Sequence, residues 1–246
     1  MSVEEPAASD DYAAEAEQWA DHPFAHFLAA AWRNTVRSFS RQRAHYETLA
    51  EVDGVFRDLI GHVGDSPERL AGSMLIRAHG SLLAASSLAL SGQVAESYAL
   101  MRNCLRSALQ GVFLAGDAER QRIWAARADD DQAAQRMRST FAQGAMLDHL
   151  REIDAATAAI YERLQQRTID RGAHPNAYGN FVHQADEQPV DFSRAYLVTD
   201  DEVQRMALRT VAQVGICVLS IFYYVYGDQY REQKLDGRLA KLRQGH

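Results

Sequence analysis

Residues 66–116, SPERLAGSMLIRAHGSLLAASSLALSGQVAESYALMRNCLRSALQGVFLAG, read as two long helices joined at Ser91-Gly92. Ser66 is a capping residue, Pro67 suits the first helical position, where its missing N–H costs nothing, and Gly92 can take the left-handed conformation that ends a helix. Leu70, Met74, Arg77, Ser81, Ala84 and Leu88 recur at helical spacing, as do Val94, Tyr98, Met101, Leu105, Leu109 and Val112. The spacing predicts an antiparallel hairpin of helices over 67–91 and 93–115. Between Gly80 and Ala95 no residue is charged and most are Ala, Ser, Gly or Leu, so other helices can approach closely on more than one side. The hairpin is therefore expected at the centre of an all-α, single-domain multi-helix bundle.

Working outward toward the N-terminus, Leu49, Val52, Phe56, Leu59 and Ile60 keep helical spacing, and before them Phe24, Phe27, Leu28, Ala31, Thr35 and Phe39 form an apolar stripe. A bend at Gly54 and a break near His45 both fit that stretch. Residues 1–21 read as an acidic, mobile leader carrying Glu4, Glu5, Asp10, Asp11, Glu15, Glu17 and Asp21 with no Lys or Arg. Those acids account for the whole net charge of −7, so the domain over 22–246 is formally neutral. A neutral body exerts no global pull on nucleic acid.

Toward the C-terminus, Asp117 opens a short amphipathic run, the acidic triplet Asp129-Asp130-Asp131 interrupts it, and Met137, Phe141, Ala145, Met146 and Leu150 continue helical spacing. Ile153, Ala156, Ile160, Tyr161, Leu164 and Thr168 give a further helix that stops near Gly172, since Pro175 cannot lie inside it. Residues 172–198 are the one long irregular loop, a length that is uncommon in a compact domain and often functional when ordered. Thr199-Asp200-Asp201-Glu202 reads as a capping box. The helix it starts has no charge from Thr210 to Gly227, long enough for a short membrane span, but Thr210, Gln213, Gly215, Ser220 and three tyrosines favour a core helix against the hairpin. The tail from Asp228 reads as a short polar helix.

With 47% apolar residues the chain can bury a sizeable core. Cys104 and Cys217 sit inside apolar helical patterns, which suits reduced thiols in a cytoplasm. Of the 26 basic residues only Lys234 and Lys241 are lysines, a bias typical of a GC-rich bacterial genome. The first residues lack the basic and apolar regions of a secretory signal.

Most enzyme classes are excluded by what the chain lacks. It has no phosphate-binding loop, dinucleotide glycine fingerprint, Gly-x-Ser-x-Gly elbow, His-Glu-x-x-His or cysteine pair. None of its nine histidines has a Glu three residues before it, as carboxylate-bridged metal bundles require. His22 and His26 have metal-compatible spacing but no carboxylate partner, and neither a metal nor a cofactor is expected. Two constellations remain. Arg77 and His79 in the first helix and Glu96, Arg102, Asn103 and Arg106 in the second are polar residues set in apolar helices; they read either as a register-fixing contact of Arg77 with Glu96 or Tyr98 or as an anion pocket of Arg77, His79, Glu96 and Arg102. Arg167 and His174, with six residues between them, carry the side-chain types of metal-independent RNA cleavage: a histidine to exchange a proton with the 2′-hydroxyl and an arginine to stabilise the phosphorane.

Two segments, Arg77-Ala-His79-Gly with Leu88 through Arg102, and Tyr161-Glu-Arg-Leu-Gln-Gln-Arg167 through His174-Pro-Asn176, resemble a group of bacterial all-helical proteins of unassigned function. In that group a helix of the type Tyr-x-Leu-x-Arg-x-x-x-Glu is followed later by a His-Pro turn. More distantly the chain resembles the HEPN domains, nucleotide-binding or RNA-cleaving helical bundles of prokaryotic defence and toxin systems. Arg106 stands where the family has its glutamate, which removes the family's Arg and Glu pairing. The resemblance covers about residues 70–225 and implies the fold more than any activity. The expected protein is a cytoplasmic, non-catalytic, oligomeric binding or interaction protein that meets a second copy or a protein partner through helix faces, with no DNA and no membrane. The rival expectation is a HEPN-like ribonuclease or nucleotide-binding protein, which would use Arg167 and His174 on RNA or a nucleotide.

Overall fold

The computed structural model describes residues 21–64, 66–173 and 196–245. Among them the chain forms ten α-helices and no strand: α1 (Pro23–Arg41), α2 (Arg43–His62), α3 (Arg69–Ser91), α4 (Val94–Leu114), α5 (Ala118–Ala125), α6 (Asp131–Thr140), α7 (Gln143–Ile153), α8 (Ala155–Thr168), α9 (Asp201–Glu232) and α10 (Leu235–Gly245). The all-α bundle expected from periodicity is what the chain adopts. The leader before Asp21 and most of the 172–198 loop lie outside the described residues.

The α3–α4 hairpin is the most extensively packed pair in the molecule, and α9 lies along it while also touching α2. Gly92 makes the connection in the left-handed region, at φ 94°. A Cβ there would also sit 2.6 Å from the Val198 carbonyl oxygen, because the Val198 N–H donates to the Gly92 carbonyl at 2.8 Å. Glycine is thus required twice over, by its dihedral and by the backbone passing beside it.

Starts and stops follow local chemistry with small shifts. Ser66 accepts from the Glu68 N–H, and α3 begins at Arg69, two residues beyond Pro67. Asp117, Asp130 and Asp154 cap α5, α6 and α8 through their side chains. At α9 the cap is Asp200, accepting from the Glu202 and Val203 N–H groups, in place of Thr199. The first two helices part at Gln42, whose side-chain amide donates to the Asp201 carbonyl. Of the two expected alternatives, the break near His45 is the one used, three residues earlier, and the bend at Gly54 is not. At Gly54 α2 runs on, and the missing side chain makes room for Arg238, which bonds Glu51 and Asp58 and ties α10 to α2.

Burial corrects two helix faces. In α4 the expected line from Val94 to Val112 is buried throughout. In α3 the inward line is Ala71, Leu75, Ala78, Leu82, Ala85 and Ala89, while Arg77 and Ala84 face outward. Small apolar residues surround α3, so composition does not single out one side. In α1 only Ala31 of the expected stripe is buried, and Phe24, Leu28 and Phe39 are exposed. The 32-residue α9 is long and apolar enough to cross a membrane by length and composition, yet 78% of its apolar window is buried against the other helices. Its tail partner α10 inserts Leu235, Leu239 and Leu242 into the same core, although its composition is polar.

Candidate functional site

The residues singled out in the hairpin do not converge. His79 is buried on α3, and its Nε2 lies 2.7 Å from Asp53 Oδ1 on α2; its ring stacks on Phe56 with centroids 4.9 Å apart. Asp53 also accepts from Arg57 Nε at 2.8 Å. Burial pushes the Asp53 carboxyl upward, but the hydrogen bonds from Arg57 and His79 outweigh it and leave the pKa below the ordinary value. This Asp–His pair has no hydroxyl or thiol hydrogen-bonded to the imidazole among the described residues, so it is a clip between α2 and α3 without a nucleophile to activate. Arg77 and Glu96 are both exposed, and no ion pair joins them. The hairpin register is held instead by Asn103, which donates to Ser81 Oγ at 2.8 Å. Arg102 is half-buried on α4, close enough to act electrostatically on Tyr161, whose hydroxyl burial pushes strongly upward while Arg106 and Arg102 pull it down. His79 is thus turned to α2, Arg77 and Glu96 face outward, and Arg102 lies beside Tyr161.

Of the second constellation, Arg167 is described and His174 lies outside the described residues. Arg167 is half-buried near the end of α8, and its Nη1 donates to Gln213 Oε1 of α9 at 2.6 Å. It lies in a groove of about 600 Å³ between α8, α9 and α10. That volume is typical of small-molecule sites. The α8 wall is a helical line of Asp154, Thr157, Ile160, Leu164 and Arg167 flanked by Arg163, and the α9 wall is Gln213, Ile216, Cys217 and Ser220. Each wall repeats every three or four residues, so each helix presents one face to the groove. Arg243 closes it from α10, with its Nε donating to Ser220 Oγ at 3.0 Å.

Polar groups mark the two ends. At one, Asp154 accepts from Thr157 Oγ1 at 2.6 Å and from the Tyr224 hydroxyl at 2.5 Å. Those bonds hold its pKa at about 2, so near neutrality it is a fixed negative charge and a poor base. At the other end, Arg163 and Arg167 stand one helical turn apart, and among the described residues no carboxylate bonds either. The floor between is aliphatic, from Ile160, Leu164 and Ile216. The Cys217 thiol is pushed up to about 12 by burial, against a weak opposite pull from Arg243, so it is no nucleophile. The groove can hold an anion, and its described lining contains no group poised to transfer a proton or attack a substrate.

The sequence marks Arg167 as a candidate but not Arg163, Gln213 or Arg243. Arg163 and Arg167 at i and i+4 were a visible signal; the α9 and α10 contributions were not, because they come from about 50 and 80 residues away in the chain. His22 caps α1 by accepting from the Phe24 N–H. Among the described residues no three His, Cys, Asp or Glu side chains gather as a metal site would require. Compared with protein-family models, curated proteins and solved structures, the chain matches none.

Proposed function

We propose that this chain is a non-catalytic binding and interaction protein that self-associates through α1. One observation carries the reading: Phe24, Leu28, Trp32 and Val36, spaced by four along α1, are 61%, 51%, 66% and 53% exposed. Single exposed apolar residues are ordinary, but a continuous line of them, about 18 Å long at 1.5 Å per residue, is the pattern of an interface. With Phe39 at its end, also exposed, the line is self-complementary. In an antiparallel pairing centred on Trp32, Leu28 meets Val36 of a second copy and Phe24 meets the region of Phe39. That is the residue-to-residue reciprocity a two-fold interface needs. Arg33 and Arg37 lie to one side of the line on the helical wheel and stay hydrated.

Light scattering on the full chain across a range of concentrations tests this. A dimer is expected, with Trp32→Glu weakening it about 30-fold if this central side chain is worth about 2 kcal/mol. A monomer at every concentration, or a dimer indifferent to Trp32→Glu and Leu28→Glu, sinks the proposal.

The ribonuclease reading is supported by the position of Arg167 in an arginine-bearing groove. Incubating the wild type and the His174→Ala variant with total RNA decides it: cleavage by the first and not the second favours an enzyme, and no cleavage by either removes one.

A further inference from the structure

We infer that the groove between α8, α9 and α10 is a binding site for a small amphiphilic anion, a carboxylate or phosphate carried on an aliphatic body. The inference stands apart from self-association, since α1 contributes nothing to the groove.

The head group is assigned by charge. Among the described residues three arginines and a single carboxylate line the groove, and that carboxylate, Asp154, is already occupied by Thr157 and Tyr224. Arg243 shares the Asp154 end and leans on Ser220. Arg163 and Arg167 are left as the uncompensated pair, projecting from one face of α8 a turn apart. Arg167 is half-buried with only an amide oxygen as partner, and Arg163 makes no hydrogen bond or ion pair among the described residues. A guanidinium that is partly desolvated and unmatched by an acid is an electrostatic cost that a bound anion relieves. With the exposed Arg163 beside Arg167, the two forks match the oxygens of a carboxylate or a phosphate.

The body is assigned by the floor. Next to the arginine pair lie Ile160, Leu164 and Ile216, all branched aliphatic, and no aromatic ring is among the described lining residues. A nucleobase is held by stacking on aromatic faces, which this wall lacks, whereas an alkyl chain asks only for removal from water. Asp154 at the far end, about 20 Å along α8 from Arg167, disfavours a second anionic group there.

Titration calorimetry on the full chain uses octanoate, octyl phosphate, octanol and AMP as probes. Saturable binding of octanoate or octyl phosphate is expected, about tenfold tighter than octanol, and the tighter of the two names the head group. Arg163→Gln with Arg167→Gln should weaken the anions about tenfold or more and leave octanol unchanged. Should the double variant lose helix content by circular dichroism, the exposed Arg163→Gln is read alone, and Ile160→Asp tests the floor from a half-exposed position. No saturable binding of either alkyl anion, binding indifferent to these variants, or AMP binding more tightly than both alkyl anions would overturn the assignment.

Discussion

Adding one methyl group at Gly215 should destabilise this protein, although the same change at Gly80 should stabilise it. At Gly215 α9 packs directly on α2 and α3. A Cβ built there lies 2.6 Å from Val52 Cγ1 and 3.1 Å from Leu82 Cδ2. Both neighbours are buried, at 0% and 2% exposure, and Val52 is β-branched, so its methyl cannot swing aside as a flexible chain end would. Either helix must shift, and interiors packed at crystal-like density resist that. Alanine gains about 1 kcal/mol over glycine in helix propensity, while overpacking a closed core costs about 1–3 kcal/mol. A 2.6 Å approach to a buried, branched carbon belongs at the upper end of that range, about 2–3 kcal/mol, so the net for Gly215→Ala is a loss of about 1–2 kcal/mol. At Gly80, mid-way along the exposed side of α3, nothing lies within 4 Å of the added atom, so Gly80→Ala keeps a gain of about 0.5–1 kcal/mol. Urea unfolding reads both: with an m-value of about 3 kcal/mol/M, Gly215→Ala moves the midpoint down by about 0.5 M and Gly80→Ala moves it up. Val52→Ala should cost about 1 kcal/mol less in the Gly215→Ala background than in the wild type, because it removes the atom that is struck. A neutral or stabilising Gly215→Ala, or strict additivity with Val52→Ala, would refute the close approach of these three helices.

Gln204 is buried on α9, with its amide nitrogen within hydrogen-bond distance of Ser38 Oγ and of the Ala89 and Leu90 carbonyls, so Gln204→Leu should cost about 2 kcal/mol and raise amide exchange in α1 before the rest of the fold. Cys104 and Cys217 are buried and their thiols are pushed upward by burial; a thiol-specific chromogenic reagent should leave both unmodified in the native protein and label both in denaturant. Asp154 has its folded pKa depressed to about 2 by the Thr157 and Tyr224 bonds, so its contribution to stability is full above the unfolded value of about 4 and fades as pH falls toward 2. Asp154→Asn should lower the urea midpoint at pH 7 and flatten its dependence between about pH 4 and pH 2; an unchanged slope would mean the carboxylate is solvated and unbonded.

Local chemistry was written plainly in the chain. The cap at Asp117, the left-handed turn at Gly92 and the apolar line from Val94 to Val112 depend on residues within a few positions of one another, so period and composition determine them, and the start of α9 differs from its reading only in capping at Asp200 and not Thr199. The all-α class and the central hairpin follow from the same short-range rules. Which side of a helix is covered is another matter. Around α3, Ala, Ser, Gly and Leu occur on every side, and only the arrival of α2 and α9 decides that Leu82 faces inward and Leu83 outward. Along α1 the apolar stripe reads like a core face, yet the bundle closes on Ala31 and Ser38 and leaves Phe24, Leu28 and Trp32 in water. The groove shows the same division. Arg163 and Arg167 share a face of α8 by spacing alone, but their setting exists only because α9 brings Gln213 to Arg167 and α10 closes the groove with Arg243 at its other end. Hydrogen bonds and caps are short-range and can be read residue by residue, whereas burial belongs to pairs of surfaces brought together by the whole chain.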